Sequence, residues 1–247
     1  LKEATWTRAA IGNYTKNNLI ELSEIIEKAK AENCTAEIKA ICDEQLSHTK
    51  DSIIALYISG ILGLKQGNLD NSNLVTLVDI FQKNYKEPVV TYLCETILDI
   101  DPNNKFALRT LADIYRAAND PKAWALYEKI VKIDVEEAEI AKILSEHYEA
   151  EGDVKNAVAY CKKALLRFVY ANNMTALKET WAKLVSMIPD EIDFFLLVQR
   201  KVEKSISAEK SALLLHDLYP YYKDNAPSDP KKWDIAIQIL KIILRID

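Results

Sequence analysis

The sequence predicts an all-α protein, and three features of its pattern support that fold class. Glycine and proline, which mark most turns, number only 5 and 7 in 247 residues, which favours long elements joined by short connections. No run of alternating polar and apolar residues lies between Asn-Gly or Asp-Gly turns, as a β-hairpin would require. Apolar residues instead recur three and four positions apart, which places them on one face of a helix.

One segment recurs along the chain, as TILDIDP at 96–102, KIVKIDV at 129–135 and KIILRID at 241–247. Aligning the three copies also superposes three sets of preceding residues: Val90, Ala123 and Ala236; Cys94, Tyr127 and Leu240; Ile97, Ile130 and Ile243. Within each copy these positions are four and three residues apart and share a helical face. The first two copies lie about 33 residues apart, a period typical of stacked two-helix repeats.

The stretch EGDVKNAVAYCKKALL at 151–166 suggests either a reactive thiol or half of such a repeat. In this alignment Ala157 falls with Val90, Ala123 and Ala236, at a position for a small residue. Cys161 falls with Cys94, Tyr127 and Leu240, at a position for a large residue, and Ala164 takes the next small position. Because Cys, Tyr and Leu all occur at the large position, it requires bulk rather than thiol chemistry. We therefore expect Cys161 to be structural. The four cysteines lack CxxC spacing and are expected to be reduced core thiols.

The segment FALRTLADIYRAANDPKAWALYEKIVKID (106–134) resembles the tetratricopeptide repeat family. The matching residues are Leu108, Leu111, Ala112, Tyr115, Ala123, Tyr127 and Ile130. Segments 73–102 and 141–165 match the same pattern. The resemblance implies a right-handed superhelical solenoid of stacked antiparallel helix pairs.

We expect one continuous solenoid, as an excerpt of a longer protein. It comprises an N-terminal helical cap with irregular repeats (1–70), regular repeats (71–171) and divergent helical repeats (172–247). A helix near 53–71 would disturb the alternation of first and second helices. There Gly60 and Gly63 have apolar neighbours, which favours close helix packing over a nucleic-acid-binding loop.

Two prolines give local expectations near the C-terminal end. Ser228-Asp229-Pro230 supplies an N-cap followed by proline at the first helical position, so a last helix is expected over about 230–246. Pro220 is expected to end or kink the helix before it.

Charge and apolar content exclude two classes of partner. The net charge of −5 and pI of about 5.4 argue against direct binding of nucleic acid or anionic membranes, which need a positive surface. The longest apolar run, at 53–64, is shorter than the roughly 20 residues of a membrane span. A cytoplasmic protein is expected.

No motif for catalysis, cofactor binding or metal binding is visible. His48, His147 and His216 lie far apart and form no HExxH pair. Neither a Gly-rich phosphate loop nor a G-x-S-x-G elbow occurs. We therefore expect no enzyme activity, no cofactor and no metal. An enzyme would need a clustered site that local sequence does not reveal.

The repeat resemblance implies that partners bind in the concave groove lined by the first helices. The candidate groove residues are Asp79, Gln82, Arg109, Asp113, Arg116, Lys142, Glu146 and Glu149. Asp79, Asp113 and Glu146 would stack as an acidic stripe, where the chaperone-binding subclass usually carries Asn or Arg. This favours a protein or peptide segment bearing Lys or Arg. The alternative is solvated charge that neighbouring cations neutralise.

A second resemblance concerns TWTRAAIGNYTKNNLIELSEII at 5–26. It is similar to the start of the long helical extensions that some bacteria attach to Gre-type transcription elongation (transcript-cleavage) factors. It implies fusion to a factor acting at RNA polymerase, although the acidic coiled-coil tip and globular domain of such factors are not recognisable here. The alternative is a helical cap in which Trp6 and Tyr14 pack against the first repeats.

Together these patterns predict a non-enzymatic protein–protein interaction scaffold, possessing no cofactor and linked to transcription elongation. An architectural spacer, or a regulatory domain of an unrelated multidomain protein, is the alternative.

Overall fold

A computed structural model of the chain describes residues 13–68 and 70–246, and these residues form thirteen α-helices and no β-strand. The prediction of an all-α protein is thus confirmed. The chain divides into two compact units, residues 1–126 and 127–247. None of the described helices is long and apolar enough to cross a membrane.

The described residues of the first unit form six complete helices: α1 (Lys16–Ala31), α2 (Thr35–His48), α3 (Ile53–Lys65), α4 (Ser72–Lys83), α5 (Glu87–Ile100) and α6 (Lys105–Ala117). The next helix, α7 (Lys122–Ile133), begins in the first unit and ends in the second. The second unit continues with α8 (Ala138–Ala150), α9 (Val154–Tyr170), α10 (Met174–Met187), α11 (Ile192–Ser205), α12 (Ala208–Asn225) and α13 (Pro230–Ile246).

Helix α3 is the centre of the first unit. It packs against α1, α2, α4 and α5, and all but two of its thirteen residues are buried. Helix α1 also contacts α5 directly, so α1, α3 and α5 meet around one core. Tyr14 is buried in that core with its ring 5.6 Å from the ring of Phe81. This packing of Tyr14 agrees with the alternative of a helical cap, whereas Trp6 lies outside the described residues.

In the second unit, packing follows chain order. Helix α9 lies between α8 and α10, and α12 lies between α11 and α13. Contacts of α9 with α11 and of α10 with α12 link these groups. A buried aromatic pair stabilises the middle of the unit, because the rings of Trp181 and Phe195 meet edge to face at 4.8 Å.

The expectation for Pro230 is confirmed, and that for Pro220 is partly wrong. Helix α13 begins at Pro230, but Pro220 lies inside α12, which continues to Asn225. The buried side chains of Leu218 and Tyr222 flank the proline, and the Tyr222 hydroxyl donates to Pro189 O at 2.8 Å. These tertiary contacts compensate for the backbone hydrogen bond that proline cannot donate.

Burial agrees with the aligned repeat positions except at one residue. The small positions (Val90, Ala123, Ala236) and the isoleucine positions (Ile97, Ile130, Ile243) are all buried. At the large position Cys94, Tyr127 and Cys161 are buried, whereas Leu240 is 38% exposed. Cys34 is half-buried, which corrects the expectation that all four cysteines lie in the core.

Candidate partner-binding cleft

The candidate groove residues lie on three helices: Asp79 and Gln82 on α4, Arg109, Asp113 and Arg116 on α6, and Lys142, Glu146 and Glu149 on α8. All are exposed except Lys142, which is half-buried. The first two helices belong to the first unit and α8 belongs to the second. The predicted acidic stripe of Asp79, Asp113 and Glu146 includes residues of both units and stays a prediction.

The first-unit candidates lie on exposed helix surfaces. The Asp79 carboxylate pairs with Lys83 on the same helix, at 2.6 Å. Arg109, Asp113 and Arg116 are spaced four and three residues apart and share the solvent face of α6. Exposed pairs of this kind contribute little to stability. This surface can therefore change without loss of the fold.

In the second unit, α8 and α10 border a cleft of about 240 Å³ with α9 as its floor. Its lining residues are Lys142, Ser145, Glu146, Cys161, Glu179, Thr180 and Lys183. Lys142 and Glu146 were predicted from sequence, whereas Glu179 and Lys183 on α10 were missed. The repeat signature fades after residue 172, so no pattern marked α10 as a lining helix.

Two short turns bring these three helices side by side. Gly152, with φ of 78°, takes the left-handed conformation between α8 and α9. Asp153 then caps α9 by accepting a hydrogen bond from the Asn156 amide at 3.1 Å. Asn172 (φ 52°) and Asn173, which accepts from the Ala176 amide, repeat this arrangement before α10.

Two ion pairs join α8 to α10 beside the cleft. Lys142 Nζ lies 2.8 Å from Glu179 Oε2, and Lys183 Nζ lies 2.6 Å from Glu149 Oε2. The hydrogen bond that Lys142 donates to Glu179 raises the pKa of Lys142, and the Glu146 carboxylate adds to this effect. Three carboxylates thus face two ammonium groups, which leaves the rim slightly acidic.

The floor of the cleft is closed by groups that are already satisfied. The Ser145 hydroxyl donates to Ala157 O at 2.9 Å, and the Thr180 hydroxyl donates to Ala176 O at 2.6 Å. Cys161 is 1% exposed, and burial raises the pKa of its thiol. The expected burial of Cys161 is confirmed. Charged groups at the rim are therefore the groups that a binding partner can reach.

Arg167 of α9 links the end of α7 to the residue before α8. Its guanidinium donates to Val131 O at 3.0 Å, at the end of α7, and to Glu137 O at 2.7 Å, before α8. Burial lowers the pKa of Arg167. On the same side, the Tyr148 and Tyr160 rings stack with centroids 5.6 Å apart. These contacts hold α8 against α9.

Among the described residues, no three His, Cys, Asp or Glu side chains converge as metal ligands would.

No family model matches the chain, so the tetratricopeptide resemblance is unsupported by that comparison. Two curated proteins are similar to it. A GreA-associated domains protein of Treponema pallidum is 42% identical over 234 residues, covering 95% of this chain and 35% of that protein. Transcription elongation factor GreA of Borreliella burgdorferi is 35% identical over 250 residues, covering 100% of this chain and 27% of that protein.

The chain thus spans about a third of the length of these relatives or less. Both alignments extend well beyond residues 5–26, where the Gre-type resemblance was first visible in the sequence. They support a relationship between this chain and Gre-type factors.

Proposed function

We propose that this chain is a non-enzymatic, cytoplasmic helical module that binds a protein partner on behalf of a Gre-type transcription elongation factor. The observation that carries the proposal is the extent of the similarity. It covers nearly all of this chain but only 35% and 27% of two relatives named after GreA. A segment of this kind therefore forms part of larger proteins of that group, and the remaining segments of those proteins can have other functions.

The second unit is proposed to follow the stacked antiparallel arrangement of a right-handed helical solenoid. Its sequential packing and the shared buried positions of α7 and α9 support this arrangement. Such stacks expose a continuous face made of alternate helices. In the second unit α8 and α10 are alternate helices of this kind, and they border the cleft.

The cleft between α8 and α10 is proposed as the binding surface for a segment bearing Lys or Arg. Glu149 and Glu179 are 52% and 58% exposed, so their ion pairs are weak and open to competition by an incoming cation. Glu146 lines the same cleft and adds a third carboxylate. RNA polymerase is the proposed source of that segment, because Gre-type factors act on transcription elongation.

The test is binding of purified RNA polymerase from the source organism to the 247-residue chain. We expect wild type to bind, and the variant Glu146→Lys plus Glu149→Lys to bind at least about tenfold more weakly, as opposed charges at an interface become like charges. The matched control is Glu24→Lys plus Glu209→Lys, which makes the same charge change at exposed sites outside the cleft.

If both double variants bind RNA polymerase as tightly as wild type does, the cleft is not the binding surface. Absence of polymerase binding by wild type would favour the architectural spacer.

A further inference from the structure

Helix α13 has two apolar faces, of which only one is covered. Its side chains Ala236, Ile239 and Ile243 are buried against the rest of the second unit. The other face exposes four large side chains, here called the α13 stripe: Trp233 (46%), Ile237 (47%), Leu240 (38%) and Leu244 (67%). A helix with apolar residues on both sides is typical of a buried helix rather than a surface helix.

Earlier helices show how such positions are normally covered. In the aligned frame, Leu240 corresponds to Cys161 of α9, and Leu244 corresponds to Leu165, both of which are buried. The cover over Cys161 comes from a neighbouring helix, since its sulfur lies 3.8 Å from Thr180 O of α10. The α13 stripe therefore has the position of a helix-packing surface, although its side chains face solvent.

The spacing of the stripe, four, three and four residues, is that of a helix-pairing seam. Asp234 and Lys241 each follow a stripe residue directly and so flank the same side of the seam. In an antiparallel pair of two α13 helices, Trp233 meets Leu244 of the second copy and Ile237 meets its Leu240. Asp234 then lies opposite Lys241 of the second copy, and two-fold symmetry makes each contact twice.

The parallel alternative is less favourable. Flanking residues five positions apart meet across a parallel seam. The residue facing Asp234 would then be residue 229 of the second copy, which precedes the helix, and the residue facing Lys241 would be Ala236. Neither charge would meet an opposite charge. The charges beside the stripe thus complement the same helix in the reverse direction.

We propose that the α13 stripe is the interface of a two-fold homodimer in which two α13 helices pack antiparallel. This assignment is independent of the cleft and of the partner proposed above. Helix α13 has 17 residues, so a pair of such helices buries an area at the small end of specific interfaces. The dimer is therefore one that dissociates on dilution.

The experiment is sedimentation velocity of the 247-residue chain over a dilution series. Wild type is expected to shift from dimer to monomer as it is diluted. Leu240→Glu is expected to stay monomeric wherever wild type is dimeric. Val154→Glu makes the same change at another exposed apolar residue, 60% exposed on α9, and is expected to dimerise like wild type. Circular dichroism melts establish that each variant is folded.

Charge exchange tests the antiparallel arrangement. Asp234→Lys and Lys241→Glu each create like-charge pairs, so each variant alone is expected to dimerise about tenfold more weakly. Mixing the two variants restores opposite charges at both pairs, so the mixture is expected to regain dimers. Three results would overturn the proposal: a wild type monomeric at every concentration, a dimer that tolerates Leu240→Glu, or a mixture no stronger than its components.

Discussion

Gly60 of α3 lies directly against Leu74 of α4. A Cβ atom built on the glycine would be 2.6 Å from Leu74 Cδ2 and 2.7 Å from Leu74 Cγ, closer than carbon atoms pack. Both residues are buried, and α3 is the central helix of the first unit. The glycine therefore sets the distance between two helices at the core, as its apolar neighbours in the sequence suggested.

Gly60→Ala is expected to destabilise the chain by about 1–3 kcal/mol, because the added methyl group overpacks a closed core. Urea unfolding followed by circular dichroism measures the change. Gly63→Ala is the matched control, since its Cβ would come no closer than 3.7 Å to Asn68 and alanine favours a helix over glycine. Equal destabilisation by both variants would contradict the role assigned to Gly60.

The cysteines are expected to differ in reactivity according to burial. Cys34 is half-buried, whereas Cys94 and Cys161 are buried. Burial also raises the pKa of the Cys94 thiol to about 12. Since the thiolate is the reactive form, Cys34 should react with a colorimetric disulfide reagent in the folded protein. Cys94 and Cys161 should react only after denaturation. Rapid reaction of Cys161 in the Cys34→Ser variant would revive the reactive-thiol interpretation.

Stability is expected to fall at alkaline pH. Burial, with a smaller contribution from Asp190, raises the pKa of Tyr222 from 10.0 to about 12. Between these values the unfolded chain has lost the phenolic proton while the folded chain retains it, so rising pH favours unfolding. Urea midpoints at pH 9, 10, 11 and 12 measure the fall across that window.

Tyr222→Phe is expected to make that fall shallower, because one of the tyrosines with a raised pKa is gone. It also loses the hydrogen bond to Pro189 O, so the variant starts from a lower stability at neutral pH. Tyr85→Phe, at a residue 94% exposed, is the control and should leave the slope as in wild type. An unchanged slope in Tyr222→Phe would assign the alkaline fall to other groups.

Arg167 is expected to be more important for stability than its position on a helix surface suggests. Its guanidinium donates to two backbone carbonyls at once, a geometry that the single ammonium of lysine cannot reproduce. Arg167→Lys should therefore lower stability by about 1–3 kcal/mol. Arg200→Lys, at an exposed position of α11, should have little effect. Equal effects would show that the two carbonyls find other donors.

Local chemistry accounts for what the sequence predicted well. Helical periodicity and the Ser-Asp-Pro start of α13 depend on neighbouring residues, so one chain is enough to recognise them. The expected end of the helix at Pro220 was wrong because contacts distant in sequence, such as that of Tyr222 with Pro189, hold α12 together.

The candidate site required the same kind of distant information. Lys142 and Glu179 pair across α8 and α10, and no repeat pattern links those positions. The stacked frame alone placed Lys142 and Glu146, and it could not supply the residues facing them. The same limit applies to Leu240, whose exposure depends on which helix packs against α13.

The ion pair between Lys142 and Glu179 is expected to contribute little to stability, and this makes the cleft suitable for mutational tests. The Glu179 side chain is 58% exposed, and exposed pairs typically contribute about 0.2–1 kcal/mol. A double-mutant cycle of Lys142→Ala and Glu179→Ala, measured by urea unfolding at low and high salt, should give a coupling in that range that shrinks with salt. A coupling free energy well above that range would mean that the ion pair stabilises the packing of α8 and α10. The Glu146 and Glu149 variants would then change the structure of the cleft as well as partner binding.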